Sequence, residues 1–572
     1  MKRHNTMKLQ KNLLATSIAT CFILVATTGH TAPLPAINAP NAGQLLQQQQ
    51  QGQILTPQTA VEVENSATST APNVSDVQIT VQKIEIVGNS RFSAEQLHPL
   101  IADAEGKQLT LKQLWDVTQN ITQYYQQHGY EYSRAYLPQQ NLSQGIVRIN
   151  VLEAHYDKTA IQNNSRTQNW LIEQTVDPLK QGERINSDQM QQQLKLLNRL
   201  KGVTTRNVLA PGATVGSSQL NIEVNNAAMF GGYLGADNFG NKYTSQVRGT
   251  AGVSAYNLAG LGDELSFDLM TAGERMNYGR VGYAFTFTGM GTRAGASYSY
   301  LDYKLGKELK AIGAEGSAAQ TSVFISQPAL LTNTAEVLLT LQYDHKQLED
   351  DINLNQYYKH RNIDVVTARL DGSQFDQYLG GGLNQYGAST SFGRVKFKNE
   401  DAAALDAQSA NTAGDYYTAS LNLSRLQNLG KKGTQGYLGI YGQYSPYNLD
   451  SAEQYLGGGP FNVRGYESSQ FAGSTGYLAT AELRQNLFAN AKNQITGKVF
   501  VDTAEVTLNA KKWAGVTGDN QVQISSAGLG LNWSSAWNIQ ANAEVAFPIG
   551  HTPEQMSDRD DHQYWLSVRK TF

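Results

Sequence analysis

The stretch Tyr477-Leu-Ala-Thr-Ala-Glu-Leu-Arg-Gln-Asn-Leu487 alternates with a period of two. Successive side chains of an extended strand point to opposite sides, so Tyr477, Ala479, Ala481 and Leu483 share one face and Thr480, Glu482, Arg484 and Asn486 the other. Just downstream, Ile495, Gly497, Val499 and Val501 alternate in the same way with Thr496, Lys498, Phe500 and Asp502. One face tolerates lipid and the other wants water or polar partners, as in the wall of a transmembrane β-barrel.

Outward from this pair, the two-residue period extends from about Met229 to the C-terminus. Further strands are predicted near 229–237, 245–256, 265–273, 277–287, 292–302, 319–328, 335–346, 362–376, 386–397, 416–425, 436–444, 525–533, 537–547 and 563–572, which makes sixteen in all. Bacterial barrels pair short periplasmic turns with longer external loops. With the first strand running outward, the external connections 303–318, 347–361, 398–415, 445–476, 505–524 and 548–562 are long, and the alternate ones, such as 288–291, 329–334 and 534–536, are short. The last strand closes on Phe572. An even strand count returns the C-terminus to the side of the N-terminal region.

Composition is consistent with this reading. Gly 52 and Tyr 29 against Pro 14 and 16% charged residues is an unusual balance for a soluble enzyme. A mean hydropathy of -0.41 does not exclude a membrane protein, because alternating faces cancel in a window average. The net charge of -3 and pI near 6.3 give no reason to expect a nucleic-acid partner. Lys2, Arg3, Lys8 and Lys11 precede the apolar run Leu13 to Ala26, with small residues around Gly29 to Ala32. This reads as a secretory signal peptide over 1–32. The only cysteine, Cys21, lies inside that run, so no disulfide is expected after processing.

Between leader and barrel the chain changes character twice. Residues 33–53 contain the glutamine-rich, helix-capable Asn41 to Gln53, and 54–76 form a Thr/Ser/Ala/Pro/Val linker. Residues 77–154 and 155–225 read as two small α+β modules with the same order of elements. In the first, Ser93 and Thr110 are positioned to cap helices; in the second, Ser187 caps a helix from Asp188 to Leu200. Small open sheets of this kind can bind an extended peptide by strand addition, unless neighbouring segments cover their edges. The barrel occupies 226–572.

One loop stands out. Gly457-Gly-Gly-Pro-Phe-Asn-Val463-Arg464-Gly465-Tyr466 places an arginine between glycines in the long connection after the eleventh strand, and Phe500-Val501-Asp502 puts a lone carboxylate on the inner face of the thirteenth. An arginine and a carboxylate so placed suggest a loop folded back into the barrel and pinned there. With a signal peptide, a candidate plug helix, a linker and two modules ahead of sixteen strands, this Val-Arg-Gly-Tyr and Phe-Val-Asp pair resembles the TpsB transporters of two-partner secretion, the FhaC, ShlB and CdiB group of the BamA-like superfamily.

The resemblance covers essentially all of the chain after the leader. It implies that the two modules are periplasmic POTRA domains and that the barrel lies in the outer membrane of a Gram-negative bacterium. It implies that Val463, Arg464, Gly465 and Tyr466 lock the sixth external loop onto Phe500 and Asp502, with Glu482, Arg484 and Lys498 extending the network. It also implies that Gln44, Leu45, Leu46 and Gln47 belong to a plug helix that leaves the lumen before transport. Glutamines here replace the family's usual mixture of charges, which argues against a specific salt-bridge latch for the plug. The implied partner is a large β-helical TpsA-type exoprotein, such as a haemolysin, adhesin or contact-dependent inhibition toxin. It would be threaded outward by a monomer in outer-membrane lipid, without nucleotide or other cofactor.

Rival readings are a BamA-like assembly factor, a passive porin and an enzyme. Two modules are fewer than BamA carries, and a porin needs none. Gly289-Met-Gly291 touches a dinucleotide fingerprint but lies between two predicted strands with no helix after it, so a tight periplasmic turn is expected. The nine histidines are scattered without a His-Glu-x-x-His, so no metal site is expected, and no catalytic constellation is found. The acidic run Glu349-Asp350-Asp351 reads as a solvated external loop.

Overall fold

The wall of the barrel is built from the alternating segments. In the computed structural model, which describes residues 39–50, 63–65, 78–142, 144–430, 432–556 and 559–572, sixteen antiparallel strands follow one another in chain order from Phe230–Asp237 to Gln563–Thr571 and close on themselves. The leader, 1–32, lies outside the described residues, as do 33–38 and 51–53 of the plug region and all of the linker except Val63–Asn65. Outward-pointing Leu483, Val499, Val501, Leu529 and Leu531 are about half exposed, while their neighbours Phe500 and Asp502 are buried. An apolar outer belt and a polar lumen follow directly from the period of two.

The sixth, seventh and eighth strands, Ala314–Leu331, Ala335–Ile352 and Tyr357–Asp376, are 18, 18 and 20 residues long. A transmembrane strand needs only about 9–11 residues, so these strands project well beyond a bilayer. The expected external loop over 347–361 therefore shrinks to 353–356, and Glu349-Asp350-Asp351 is strand rather than loop. The sequence hid this because both faces of a strand become wet outside the lipid, and the apolar signal ends before the pairing does. The seam between the first and sixteenth strands is short by comparison. It runs from Tyr233 opposite Thr571 to Asp237 opposite Ser567, and Phe572 and Gly232 exchange backbone hydrogen bonds at its end.

The first module packs Leu111–Gln127 against the three-stranded sheet formed by Lys83–Val87, Ile146–Leu152 and Arg134–Tyr136. Ser93 and Thr110 each complete a capping box. In the second module the cap of helix Ser187–Arg199 is Asn186, whose side chain accepts from the Gln189 amide, not Ser187. An Asn-Ser pair offers two good caps one residue apart, and only the backbone path selects between them.

The second module sits on the periplasmic turns of the barrel. Gln168 N–H donates to the Gly260 carbonyl (2.8 Å), Gly289 N–H to Gln174 Oε1 (2.7 Å), and Arg199 pairs with Glu336. Gly289 does lie in a tight turn between strands, and a Cβ there would come within 2.5 Å of Gln174 backbone. The modules meet each other at Glu153. Its carboxylate accepts from Ser90 N–H and Oγ, Arg91 N–H, Tyr125 OH and Arg184 Nε, all at 2.6–2.8 Å. Burial pushes this carboxyl up, yet the donors outweigh it and hold it down at about 2.

Candidate functional site

The connection 445–474 between the eleventh strand, Thr434–Tyr444, and the twelfth, Thr475–Ala489, folds back into the lumen. This is the sixth external loop. Its stem is a short ladder between Tyr455–Gly457 and Phe471–Gly473. Gly458 and Gly459 carry φ of 91° and 104°, which lets the chain reverse where an L side chain would be strained. Val463 and Tyr466 seat the tip in an apolar patch of the inner wall made by Ala504, Val506, Val522 and Ile524.

Arg464 lies at that tip and is 4% exposed. Its Nε and Nη2 donate to the two oxygens of Asp502 at 2.9 and 2.7 Å, a bidentate pair, while Nη1 reaches Glu482 Oε1 at 2.8 Å and Glu544 Oε2 at 3.2 Å. The guanidinium stacks over the Phe500 ring at 3.4 Å from its centroid. Asp502, fully buried, also accepts from Thr480 Oγ1 and the Arg464 amide. Arg484 pairs with Glu482 at 2.6 Å and Lys498 with Glu544 at 2.7 Å. The expected residues therefore converge on one network. A Cβ on Gly465 would come within 2.7 Å of Ser526 Cβ and 2.9 Å of Pro548 N, so the tip can approach the wall only with glycine there.

Sequence reasoning did not single out Thr480, Ser526, Glu544 or Trp565 as members of this network. Glu544, on the fifteenth strand, gave no local signal. Trp565, on the sixteenth, donates its indole N–H to the Arg464 carbonyl at 2.7 Å. Ser468 Oγ donates to the Phe239 carbonyl, beyond the first strand, at 2.8 Å, and Phe461 meets the Phe239 ring edge-on. Loop 6 thus touches both sides of the short seam.

The helix Ala42–Gln50 lies in the lumen beside the base of the same loop. Asn41 Oδ1 accepts from the Gln44 amide and starts the helix. Leu45 and Leu46 are buried, packed in a cluster with Leu301, Leu348, Leu449 and Ala452, while Gln44 and Gln47 are half-buried. A Cβ on Gly43 would come within 2.5 Å of the Ala452 backbone. The polar tethers are Gln48 to Ser469 (2.7 Å) and Gln50 to Gln320 (3.0 Å). The seat is therefore an apolar stripe with glutamine tethers, rather than the all-polar surface its composition suggests.

A second arginine cluster stands at the helix N-terminus. The Ala42 amide donates to Asp350 Oδ1 at 2.8 Å, and the other oxygen of Asp350 accepts from Arg361 Nη1 at 2.7 Å. Arg361 is fully buried and also donates to Asp450 Oδ2 (2.5 Å) and Ser451 Oγ (3.0 Å) of loop 6. Beside it, Lys346 pairs with Glu453 at 2.6 Å. No sequence motif marks these residues, because they lie far apart in the chain and the sequence around Asp350 reads as a loop. With loop and helix in place, a pocket of about 760 Å³ remains, lined by Gln48, Gln49, Arg248, Arg280, Glu544 and Arg569 among others.

An outer-membrane barrel closed from within by its own loop and helix, with two modules at its periplasmic mouth, is the architecture of a protein transporter. A POTRA domain of the ShlB type matches residues 79–154, and the haemolysin secretion/activation protein ShlB/FhaC/HecB matches 216–533, so the chain belongs to that family. It is an outer-membrane transporter of the two-partner secretion class, in which such proteins export partner exoproteins. Heme/hemopexin transporter protein HuxB of Haemophilus influenzae is 26% identical over 99% of this chain and 100% of its own length. Outer membrane transporter CdiB of Dickeya dadantii is 23% identical over 75% of this chain and 77% of its own. The solved CdiB from Escherichia coli superposes with a TM-score of 0.71 at 20% identity, over 88% of this chain and 93% of that one, and supports the fold.

Proposed function

We propose that this transporter captures an unfolded exoprotein at its POTRA domains, withdraws helix Ala42–Gln50, and passes the exoprotein outward through the barrel as a hairpin. The observation that carries this reading is that both obstructions of the lumen are held by discrete, breakable contacts rather than by continuous barrel wall. Folding of the cargo into a β-helix outside would bias transport in one direction, since a folded segment cannot slide back. Arg464 and Asp502, with Val463, Gly465, Tyr466 and Phe500, would lock loop 6, and Glu482, Arg484 and Lys498 would tune that lock. The transporter acts as a monomer in outer-membrane lipid, with domains at 33–53, 54–76, 77–154, 155–225 and 226–572 behind a cleaved leader.

The cargo is a large β-helical exoprotein. Haemolysins, adhesins and contact-dependent inhibition toxins fit that description. The full-length relation to a heme/hemopexin transporter adds a cargo that handles heme or hemopexin, and ranks it ahead of a toxin. Co-expression with a candidate β-helical exoprotein tests the reading. Export should require both POTRA domains while deletion of either leaves the barrel inserted; undiminished export after a deletion would count against it.

A further inference from the structure

The second POTRA domain meets the barrel with two helices, and they meet opposite sides of its rim. Leu339 and Leu341 of the seventh strand and Phe267 and Leu269 of the third are exposed on the outer wall, so Glu336 and Glu264, of opposite parity, face the lumen. Arg199 pairs with Glu336, and Lys201 with Glu264 at 3.8 Å, which sets the end of helix Ser187–Arg199 on the lumen side. Helix Asn169–Val176 binds the same turns: Gln168 N–H donates to the Gly260 carbonyl and Gly289 N–H to Gln174 Oε1. Leu171 and Ile172 of this helix share a core with Leu194 and Leu197 of the other. With the lumen side taken, helix Asn169–Val176 lies on the outer side.

Trp170 stands on the free face of that outer helix. It is one turn ahead of Gln174, on the side that reaches the barrel and away from Leu171 and Ile172, and it is 46% exposed. The wall above continues this surface. Tyr283, Phe285 and Phe287 form a ladder of rings down the outer face at the end of the fourth strand, 6.0 and 6.1 Å apart, and the turn after them carries Met290, 66% exposed. The apolar belt therefore runs past the rim, through the turn that Gln174 binds, to Trp170. A Cβ on Gly289 would come within 2.5 Å of the Gln174 backbone, so glycine there lets helix and turn lie in direct contact.

We propose that helix Asn169–Val176 docks on the inner leaflet of the outer membrane: Trp170 enters the headgroup boundary beside the fourth and fifth strands and holds the second POTRA domain against phospholipid. An indole has an apolar body and one N–H donor, which suits the border between hydrocarbon and headgroups. The occupant is the bilayer rather than the exported chain, because this surface faces away from the lumen and continues a wall that lipid already covers. The turns hold the domain from above and the membrane holds it from the side, so its orientation under the barrel mouth is fixed at two places.

The contact is tested with the full-length protein in vesicles of mixed phosphatidylethanolamine and phosphatidylglycerol, carrying p-benzoylphenylalanine in place of Trp170. Irradiation should give phospholipid adducts roughly tenfold above those from the same probe in place of Val215, which is exposed in the hairpin turn at the end of the sheet away from the barrel. Equal yields at the two sites would overturn the docking, as would adducts to a second copy or, in exporting cells, to the exported chain in place of lipid. The holding role is read from nitroxides on Val215→Cys and Tyr378→Cys, the latter in the turn between the eighth and ninth strands, in a Cys21→Ser background. In vesicles Trp170→Ser should widen the distance distribution about twofold, and Trp170→Tyr should stay near the wild type; in lipid-free amphipol all three should coincide. No widening in vesicles would overturn the holding role. Equal widening in amphipol would overturn it too, since Trp170 would then act through packing within the protein.

Discussion

Two buried arginines hold loop 6, and they hold it differently. Arg464 grips the tip against the inner wall of the twelfth to sixteenth strands, in a network closed among charged side chains and one aromatic face. Arg361 grips the base and shares Asp350 with the first amide of the plug helix. The tip network secures the loop beside the short seam of the barrel, and the base network couples the loop to a removable element. Similar chemistry therefore serves as a fixed pin in one place and as a junction in the other. The difference is whether a carboxylate's remaining lone pairs point to wall or to plug.

The largest effect is expected at the tip. Arg464→Ala strands the fully buried Asp502 without its counter-charge, and breaking one side of a buried pair costs about 3–5 kcal/mol. Export should fall at least tenfold while the barrel still inserts and keeps its heat-modifiable mobility. Arg464→Lys should restore little, since an ammonium cannot make the bidentate pair and the ring stack together. Normal export in either variant would dissolve the distinction between pin and junction.

At the base, Arg361→Ala should free the plug before it frees the tip. Bilayer recordings should show several-fold more frequent opening, with cross-linking between cysteines at positions 461 and 239, which meet beside the tip without touching the Arg464–Asp502 pair, intact. If the tip loosened equally, the two clusters would be one mechanical unit. Asp350→Asn is gentler. It removes a charge at a helix N-terminus, worth about 0.3–1 kcal/mol, and one of the two carboxylates on Arg361, which keeps Asp450, so opening should rise less than in Arg361→Ala.

Glu153 offers a third charged junction, outside the membrane, whose contribution is complete at neutral pH and changes only in the acid range. Its carboxyl sits at about 2 in the folded protein against an ordinary 4.5, so its contribution is fully present above 4.5 and is lost as pH falls from there through about 2. Spin labels on the two POTRA domains should report a fixed separation at pH 6 and a broadened one near pH 3. Glu153→Gln should be broad at both; a pH response surviving in that variant would assign the effect elsewhere.

Local pattern determined a large part of this protein. The period of two gives the strands, their outward leucines and valines and their inward Glu482, Arg484, Phe500 and Asp502, because side-chain direction in a strand depends only on parity. The glycine-flanked Arg464 was legible because a loop of that composition has few other uses. Ser93 and Thr110 were legible as caps because each box closes within four residues.

Folding alone decided what depends on distant segments meeting. Asp350, Arg361 and Asp450 become a cluster only when long strands carry them past the membrane to the base of loop 6. Glu544 and Trp565 join Arg464 only through closure of the barrel, and Gly43 matters only because Ala452 lies against it. The strand Val63–Asn65 belongs here too, since its pairing with Val203–Pro211 joins segments far apart in the chain. Parity is written along the chain, but convergence is a property of the closed cylinder.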